Sequence, residues 1–573
     1  MKGNKAPGQL QKRKKPRDGQ DFDARPWVVI LIFVFFFAFV SLLPSMARHH
    51  MDENYYTDAA IRMVQTGDYF TPYYYDGNLQ LKKPIVTYWA VAASYKIFGI
   101  NLFASRIPFL VAGCIIIWIT YKLSLLFFRR ENYAFIAAAV IASNFTLFHI
   151  STRSTPDAFV CLFISISLYG FACLIFNRDQ RRINYILAYV GAGLTVATHG
   201  LWGALPVAFA FFFWFVRRRD TIRLKELIDV RSIAIALLIA SFWYLVAYYR
   251  HGDVFIQQFF NDQVEERWSG LHMRNINNML IYLLALGQQF LPWSVILLFV
   301  ALHDKRAVIN FFREHKDVCL FIIGWFLIFY VILLLGNRTR ERYFLPTYPL
   351  ISALYAALLV AIADRGHSFS LFRVIERGII LGCLAGGCLL TLAGLFIDLR
   401  LVAGGLISFL VAGALYVSLP RKNAVFGLAT VAICIILAFS VIENFITPVI
   451  YNPLAPRVVD RVREYTRGPI EIAEIGMSPY GFEASEIYVL SGGAIKIYRL
   501  RDDTPPEKMQ QFQFILFPES FKERINLDGY TIEECGSSYK GGFVVHSLWG
   551  IRKITDFRAL LSRFKQHYYL AHL

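Results

Sequence analysis

A polytopic α-helical membrane protein of about thirteen spans, followed by a small water-soluble α/β domain on the far side of the membrane, is the architecture this sequence predicts. Three observations predict it. Hydrophobic residues make up 56% and charged residues only 17% of the 573-residue chain, against roughly 25% charged in a soluble domain. Apolar runs long enough to cross a hydrocarbon core, which takes about 20 residues each, recur from Trp27 to about Ile450. Past about Tyr451 the pattern changes to charged residues, Pro and Gly turns, and short strand-like runs such as IKIYRL and FQFILF.

The elements follow in order. Residues 1–26 are basic with no apolar face to bury, and are expected to form a disordered cytoplasmic tail. This tail imitates the start of a secretory signal, but the apolar run from Trp27 to Leu43 carries no small-residue cleavage site and reads as a retained first span. The membrane part is expected over 27–450. Basic turns recur after every second span: Arg129 and Arg130; Arg178, Arg181 and Arg182; Arg217, Arg218, Arg219 and Lys225; Lys305, Arg306 and Arg313; Arg365 and Arg373; Arg421 and Lys422. Cytoplasmic loops concentrate Lys and Arg, so these turns mark the cytoplasmic side. They also account for the formal net charge of +18, which makes the bilayer the partner and gives no reason to invoke nucleic acid. The helix from Ile183 to Ala197 is short for a span, and Ile85 to Phe98 fits a helix lying along the surface as well as one that crosses. An odd number of spans puts the α/β domain, 451–573, outside. Of eight cysteines only Cys535 lies in that domain; no structural disulfide is implied and no CxxC spacing exists.

Three outer segments concentrate the polar chemistry. The first loop, 47–84, is too long for a simple turn and places Asp52 and Glu53 just past the membrane edge; its YYTDAAIRMVQTGDY has helical spacing, and it ends at Lys82 and Lys83. The short turn STRSTPD holds Arg153 and Asp157. Two later loops carry Asp262, Glu265, Glu266, Arg267 and His272, and then Arg338, Arg340, Arg342 and Tyr343. Outer loops should be poor in Arg, so the last cluster breaks the positive-inside pattern and suggests an anionic ligand. Each group has a plainer reading. Asp52 and Glu53 fit a helix cap, Lys82 and Lys83 fit headgroup anchors, and Arg153 with Asp157 fits an i,i+4 ion pair, although a charge near the bilayer interior costs roughly 2.5–3.5 kcal/mol. His199, in THGLWG, reads as structural. His49 and His50 are adjacent and do not make a metal site, because neighbouring side chains on a helix face apart.

The order DENYYTDAAIRMVQTGDYFTPYYYDGNLQLKKPIVTYWAVAASYKIFGINLFASRIP resembles the first outer loop of the GT-C glycosyltransferases of the protein O-mannosyltransferase and lipid A aminoarabinose transferase type. The matching residues are Asp52, Glu53, Tyr55 or Tyr56, Gly67, Asp68, Tyr69, Lys83, Pro84, Tyr88, Trp89, Arg106 and Pro108. Further along, STRSTPD resembles that family's short Arg-to-Asp turn, LPWS at Leu291 to Ser294 its PW step, and RERYFLPTYP its basic-Tyr-x-x-Pro-x-Tyr-Pro segment. The span count and the outer C-terminal domain fit the aminoarabinose branch best.

The resemblance implies a GT-C fold in a bacterial inner membrane, N-terminus cytoplasmic and C-terminal domain periplasmic. It implies inverting transfer of a sugar from a polyprenyl (undecaprenyl) phosphate carrier to lipid A or another envelope glycan or protein. An inverting displacement needs a carboxylate to orient or deprotonate the acceptor and cations to stabilise the departing phosphate. Asp52 is expected in the first role, with Asp157 or Glu53 assisting. Lys83, Arg340, Arg342, Tyr343 and Arg267 are expected at the carrier phosphate, with Tyr56, Arg106 and Arg153 in support. If the acceptor is a phosphate it is already ionised, and Asp52 would position it or bind an amino group. The chain departs from the aminoarabinose branch where the relatives read Glu-Lys-Pro and a His before the later Arg: here stand Lys82 and Val264, which argues against a divalent metal at those positions. The Lys-Gly-Pro turn is likewise His199-Gly200-Leu201. A transporter or flippase for a lipid-linked sugar is the alternative from a different class; the absence of a clear internal repeat and the gathering of acids at one face favour the enzyme.

Overall fold

The computed structural model describes residues 23–46, 50–261, 279–335, 341–363, 369–418, 424–450, 454–476, 482–501, 504–525, 527–539 and 565–572. The first half contains α1 (Arg25–Val40), α2 (Met51–Thr66), α3 (Val86–Phe98), α4 (Leu102–Phe128), α5 (Glu131–Ala142), α6 (Phe145–Ser151), α7 (Asp157–Phe176), α8 (Arg182–His199), α9 (Ala204–Arg217) and α10 (Val230–Phe260). The second contains α11 (Met279–Gln289), α12 (Trp293–His303), α13 (Lys305–Glu314), α14 (Lys316–Leu335), α15 (Tyr348–Ala363), α16 (Phe369–Ile397), α17 (Leu399–Ser418) and α18 (Ala424–Val441). Most of these helices are apolar all round, as lipid on one side and protein on the other require, since no water is available to either face.

Among the described residues, nine helical segments are long and apolar enough to cross a membrane, or ten if α5 and α6, bent by 62°, form one span. Helices α1 and α12 are apolar but shorter. The chain is therefore an integral membrane protein. One of the nine segments, 182–217, folds back on itself at Gly200–Gly203. Arg178 donates to the Thr221 carbonyl (2.8 Å), and Tyr185 Oη to the Glu226 carbonyl (2.7 Å), so the foot of α8 and the end of α9 lie at one level. Gly203 permits the turn, because a Cβ there would sit 2.4 Å from the Ala192 carbonyl. Helix α3, one of the two segments left open by the sequence, has 13 residues, about 20 Å of helix against a core about 30 Å thick. It packs along α2 and α4, which favours the surface reading.

The C-terminal part has α19 (Ala455–Tyr465) and α20 (Phe482–Leu490) against a five-stranded sheet of order β2-β1-β3-β5-β4. Its strands are β1 (Ile470–Glu474), β2 (Ile495–Arg499), β3 (Phe514–Pro518), β4 (Thr531–Tyr539) and β5 (Lys565–His572). The first three are parallel, and β5 pairs antiparallel with β3 and β4. Every residue of β3 is buried, as expected for the central strand of a sheet covered on both faces.

Candidate active site at the head of the first loop

Helix α2 begins with a reciprocal cap. His50 Nδ1 accepts the Asp52 N–H (3.1 Å), and the Glu53 carboxylate accepts the His50 N–H (2.9 Å). The helix ends at Gly67, whose φ of 78° closes a left-handed cap with its N–H on the Met63 carbonyl. Asp68 then turns the chain. Burial pushes its carboxyl up, but bonds from the Phe70 N–H, Thr71 and Arg250 outweigh that and hold it below the usual carboxylate value. The Gly-Asp step is thus a helix stop and a turn, and the Tyr-Trp pair is a strut: Trp89 Nε1 donates to the Tyr69 carbonyl (2.7 Å), while Tyr88 packs on Tyr56 at 5.0 Å between ring centroids.

The acidic pair divides. Glu53 is fully buried against fully buried Arg106. Arg106 Nε and Nη2 donate to its two oxygens at 2.8 and 3.0 Å, and Ser154 adds its N–H (3.0 Å) and hydroxyl (2.9 Å). Arg106 Nη1 also donates to the Leu43 and Ser45 carbonyls, tying the end of the first span to α2, α4 and the turn before α7. Glu53, expected to assist the reaction, has its oxygens in a desolvated pair and the capping bond.

Asp52 lies in the other direction. Its carboxylate receives a hydrogen bond from Arg342, whose Nε lies 3.7 Å from Asp157, the first residue of α7. One guanidinium thus bridges two carboxylates from helix starts more than 100 residues apart. All three side chains stay between 10% and 20% exposed, where Glu53 and Arg106 are at 0%. Arg342, Asp157, Tyr343, His199 and Trp202 line a small, partly open pocket, with the Arg342 guanidinium 6.0 Å from the centroid of the Tyr343 ring. The plainer reading of Arg153 and Asp157 as an i,i+4 pair gives way to another arrangement: Asp157 faces Arg342, and Arg153 contacts His149. His50 sits among these groups. Burial first, then the charge of Arg153, holds its imidazole below the ordinary 6.5, with Asp52 pulling upward and Arg342 adding to the lowering.

Lys83 is half-buried beside buried Pro84, and Lys82 is exposed. Arg340, Arg267 and Val264 lie outside the described residues. Among the described residues no group of three His, Cys, Asp or Glu is placed to hold a metal. The Pro-Trp step is a lock between helices, with Trp293 buried and its Nε1 on Ser143 Oγ (2.9 Å).

The profile of the dolichyl-phosphate-mannose-protein mannosyltransferase family matches residues 82–245. The apo crystal structure of ArnT from Cupriavidus metallidurans superposes with a TM-score of 0.64 at 16% identity, covering 87% of this chain and 94% of that one. This is the GT-C fold. The same ArnT bound to undecaprenyl phosphate gives a TM-score of 0.63 over the same shares of the two chains. An undecaprenyl phosphate-alpha-4-amino-4-deoxy-L-arabinose arabinosyl transferase of Yersinia enterocolitica is 27% identical over 345 residues, 59% of this chain and 60% of that protein. An uncharacterized protein of Aquifex aeolicus is 27% identical over 317 residues, 54% of this chain and 59% of its own length. These alignments leave about 40% of each of those two curated relatives unmatched.

Within the GT-C fold, the site gains residues that sequence reasoning set aside or did not single out. His50, dismissed with His49 as a metal pair, caps α2. Ser154 completes the Glu53 anchor. His199, read as structural, lines the pocket with Trp202. The signal available was proximity in sequence: His50 beside Asp52, and Ser154 within the Arg153-to-Asp157 turn.

Proposed function

We propose that this protein transfers a sugar from a polyprenyl-phosphate carrier to an acceptor at the periplasmic face of a bacterial inner membrane, with lipid A the first acceptor to test. The observation that carries the reading is the convergence of Asp52 and Asp157 on one guanidinium at the mouth of a pocket. In an inverting displacement the acceptor oxygen forms a bond to the anomeric carbon as the bond to the carrier phosphate breaks. Asp52 orients or deprotonates the acceptor, or positions it where it is already an anion. Asp157, on the pocket wall, assists through the shared Arg342. Lys83, Arg342 and Tyr343 supply positive charge and a hydroxyl to the departing phosphate, with Arg340 and Arg267 expected beside them. Glu53 and Arg106 hold the loop, with Tyr56 and Arg153 supporting it.

Thirteen crossings follow if α8 and α9 are two legs, α5 with α6 one, and the short helices α1 and α12 one each. That number returns the C-terminus to the side opposite the N-terminus, as the basic turns require. The test is mass spectrometry of lipid A and other envelope glycans from cells with and without the chain and with the Asp52→Asn variant. Loss of a sugar mass from lipid A in both the deletion and the variant supports the reading. A loss confined to another glycan changes the acceptor, and no loss anywhere returns the carrier-lipid transporter.

A further inference from the structure

The C-terminal domain grips both arms of the first loop. At the far end of α2, Gln65 Nε2 donates to the Gly493 carbonyl (3.4 Å), and Tyr488 Oη donates to Gln65 Oε1 (3.3 Å). Tyr488 and Val489 of α20 are buried within the hydrophobic core of the membrane part, and Tyr75 of the loop packs into the core of the domain. The turn after α20 lies so close to α2 that a Cβ at Gly493 would stand 2.4 Å from Gln65 Nε2 and 2.6 Å from Ile61 Cγ2. The second arm is a tight hairpin in which Tyr73 bridges to Leu79. Below it the Leu81 N–H reaches Gln258 of α10 (3.1 Å), immediately before Lys82 and Lys83.

We infer that the C-terminal domain is a positioning clamp for the reaction site: by fixing α2 against the hairpin it sets where Asp52 stands relative to Lys83 and Arg342. This rests on the function proposed above. Asp52 and Gln65 are thirteen residues apart on one helix, about 20 Å. A helix of this length moves as a rod, so displacement at Gln65 is transmitted to its N-terminus. Misplacement by about 1 Å is enough to cost on the order of a hundredfold in rate, whereas carrier binding through apolar contacts in the membrane is little affected. Gln65, Tyr488 and Gly493 are positioning residues; none touches the site.

The test compares two glycine substitutions in the full-length protein, with transfer measured from undecaprenyl-phosphate-linked sugar. Gly493→Val drives a side chain into Gln65 Nε2 and Ile61 Cγ2 and so breaks the Gln65 bridge between the domain and α2. Gly529→Val imposes the same backbone strain, since Gly529 has φ +91° against +80° at Gly493, but has nothing within 4 Å of its Cβ position. The clamp predicts that Gly493→Val lowers kcat at least tenfold with the carrier KM within about threefold, while Gly529→Val keeps both near the parent values. Full kcat in Gly493→Val overturns it, and so do equal losses in both variants, which would report strain and not displacement. Asp52→Asn in the same assay separates the two levels. If it is inactive while Gly493→Val is fully active, only the clamp fails; if it transfers normally, the site reading fails and takes the clamp with it.

Discussion

Two ion-pair systems start from adjacent residues of one helix and have opposite characters. Glu53 and Arg106 are fully buried and hydrogen-bonded to two other segments of the chain, the end of the first span and the turn before α7. Asp52, Arg342 and Asp157 are partly exposed, with one cation shared between two anions. A desolvated, saturated pair is expensive to break and useless to a substrate. A shared, water-accessible cation can exchange a carboxylate for an incoming phosphate. Neighbouring acids in sequence are thus sent to a sealed pair and to a shared, accessible one by the phase of a helix and the placement of two arginines.

The largest expected effect breaks the division directly. Asp52→Asn should lower transfer by about 10²- to 10⁴-fold, the range of a positioned acid–base group, with unchanged thermal stability in detergent. Glu53→Gln should do the reverse in kind: it leaves Arg106 charged and unneutralised in a dry site, a loss of about 3–5 kcal/mol, read as early thermal unfolding or failure to accumulate. Next in size, Arg342→Lys cannot reach both carboxylates with one point charge. A hydrogen bond to a charged group is worth roughly 1.5–3 kcal/mol, so kcat/KM should fall more than tenfold while the unfolding temperature holds. Asp157→Asn, which leaves the Arg342–Asp52 bond in place and removes only the 3.7 Å contact, should give a smaller loss in the same assay.

The smallest effect is in pH. His50 accepts the Asp52 N–H through Nδ1 and its folded-state pKa lies below 6.5. Above 6.5 the ring is neutral in both folded and unfolded chains and stability is intact. As pH falls through 6.5 the unfolded chain takes the proton first, so stability declines until the folded ring also protonates. Unfolding temperatures at pH 7.5 and 5.5 should therefore differ more in the parent than in His50→Asn, which keeps a capping side chain without the titration. An equal difference in both would remove His50 from the cap.

Much of this was legible in the sequence because membrane spans and basic turns report on one variable, the transfer free energy of residues into lipid. The α8–α9 hairpin, with two short legs, was readable only because Arg178 to Arg182 and Arg217 to Lys225 bracket it. The acidic loop was readable as a cluster of charge at one face, but not which partner each acid meets. Glu53 meets Arg106 across more than 50 residues and Asp52 meets Arg342 across nearly 300, and local spacing carries no information about either partner. The plain reading of the pair as a helix cap was also right in part, since Glu53 accepts the His50 N–H while holding Arg106. The Arg cluster at 338–342 was legible as a violation of loop charge, and Arg342 is where that violation meets the two carboxylates.

The most direct measurement is in vitro transfer from undecaprenyl-phosphate-linked sugar, run beside thermal unfolding on purified Asp52→Asn and Glu53→Gln. The account predicts an inactive but normally stable Asp52 variant and a destabilised Glu53 variant. A fully active Asp52→Asn, or a Glu53→Gln protein that is stable yet inactive, would contradict the division on which the site rests.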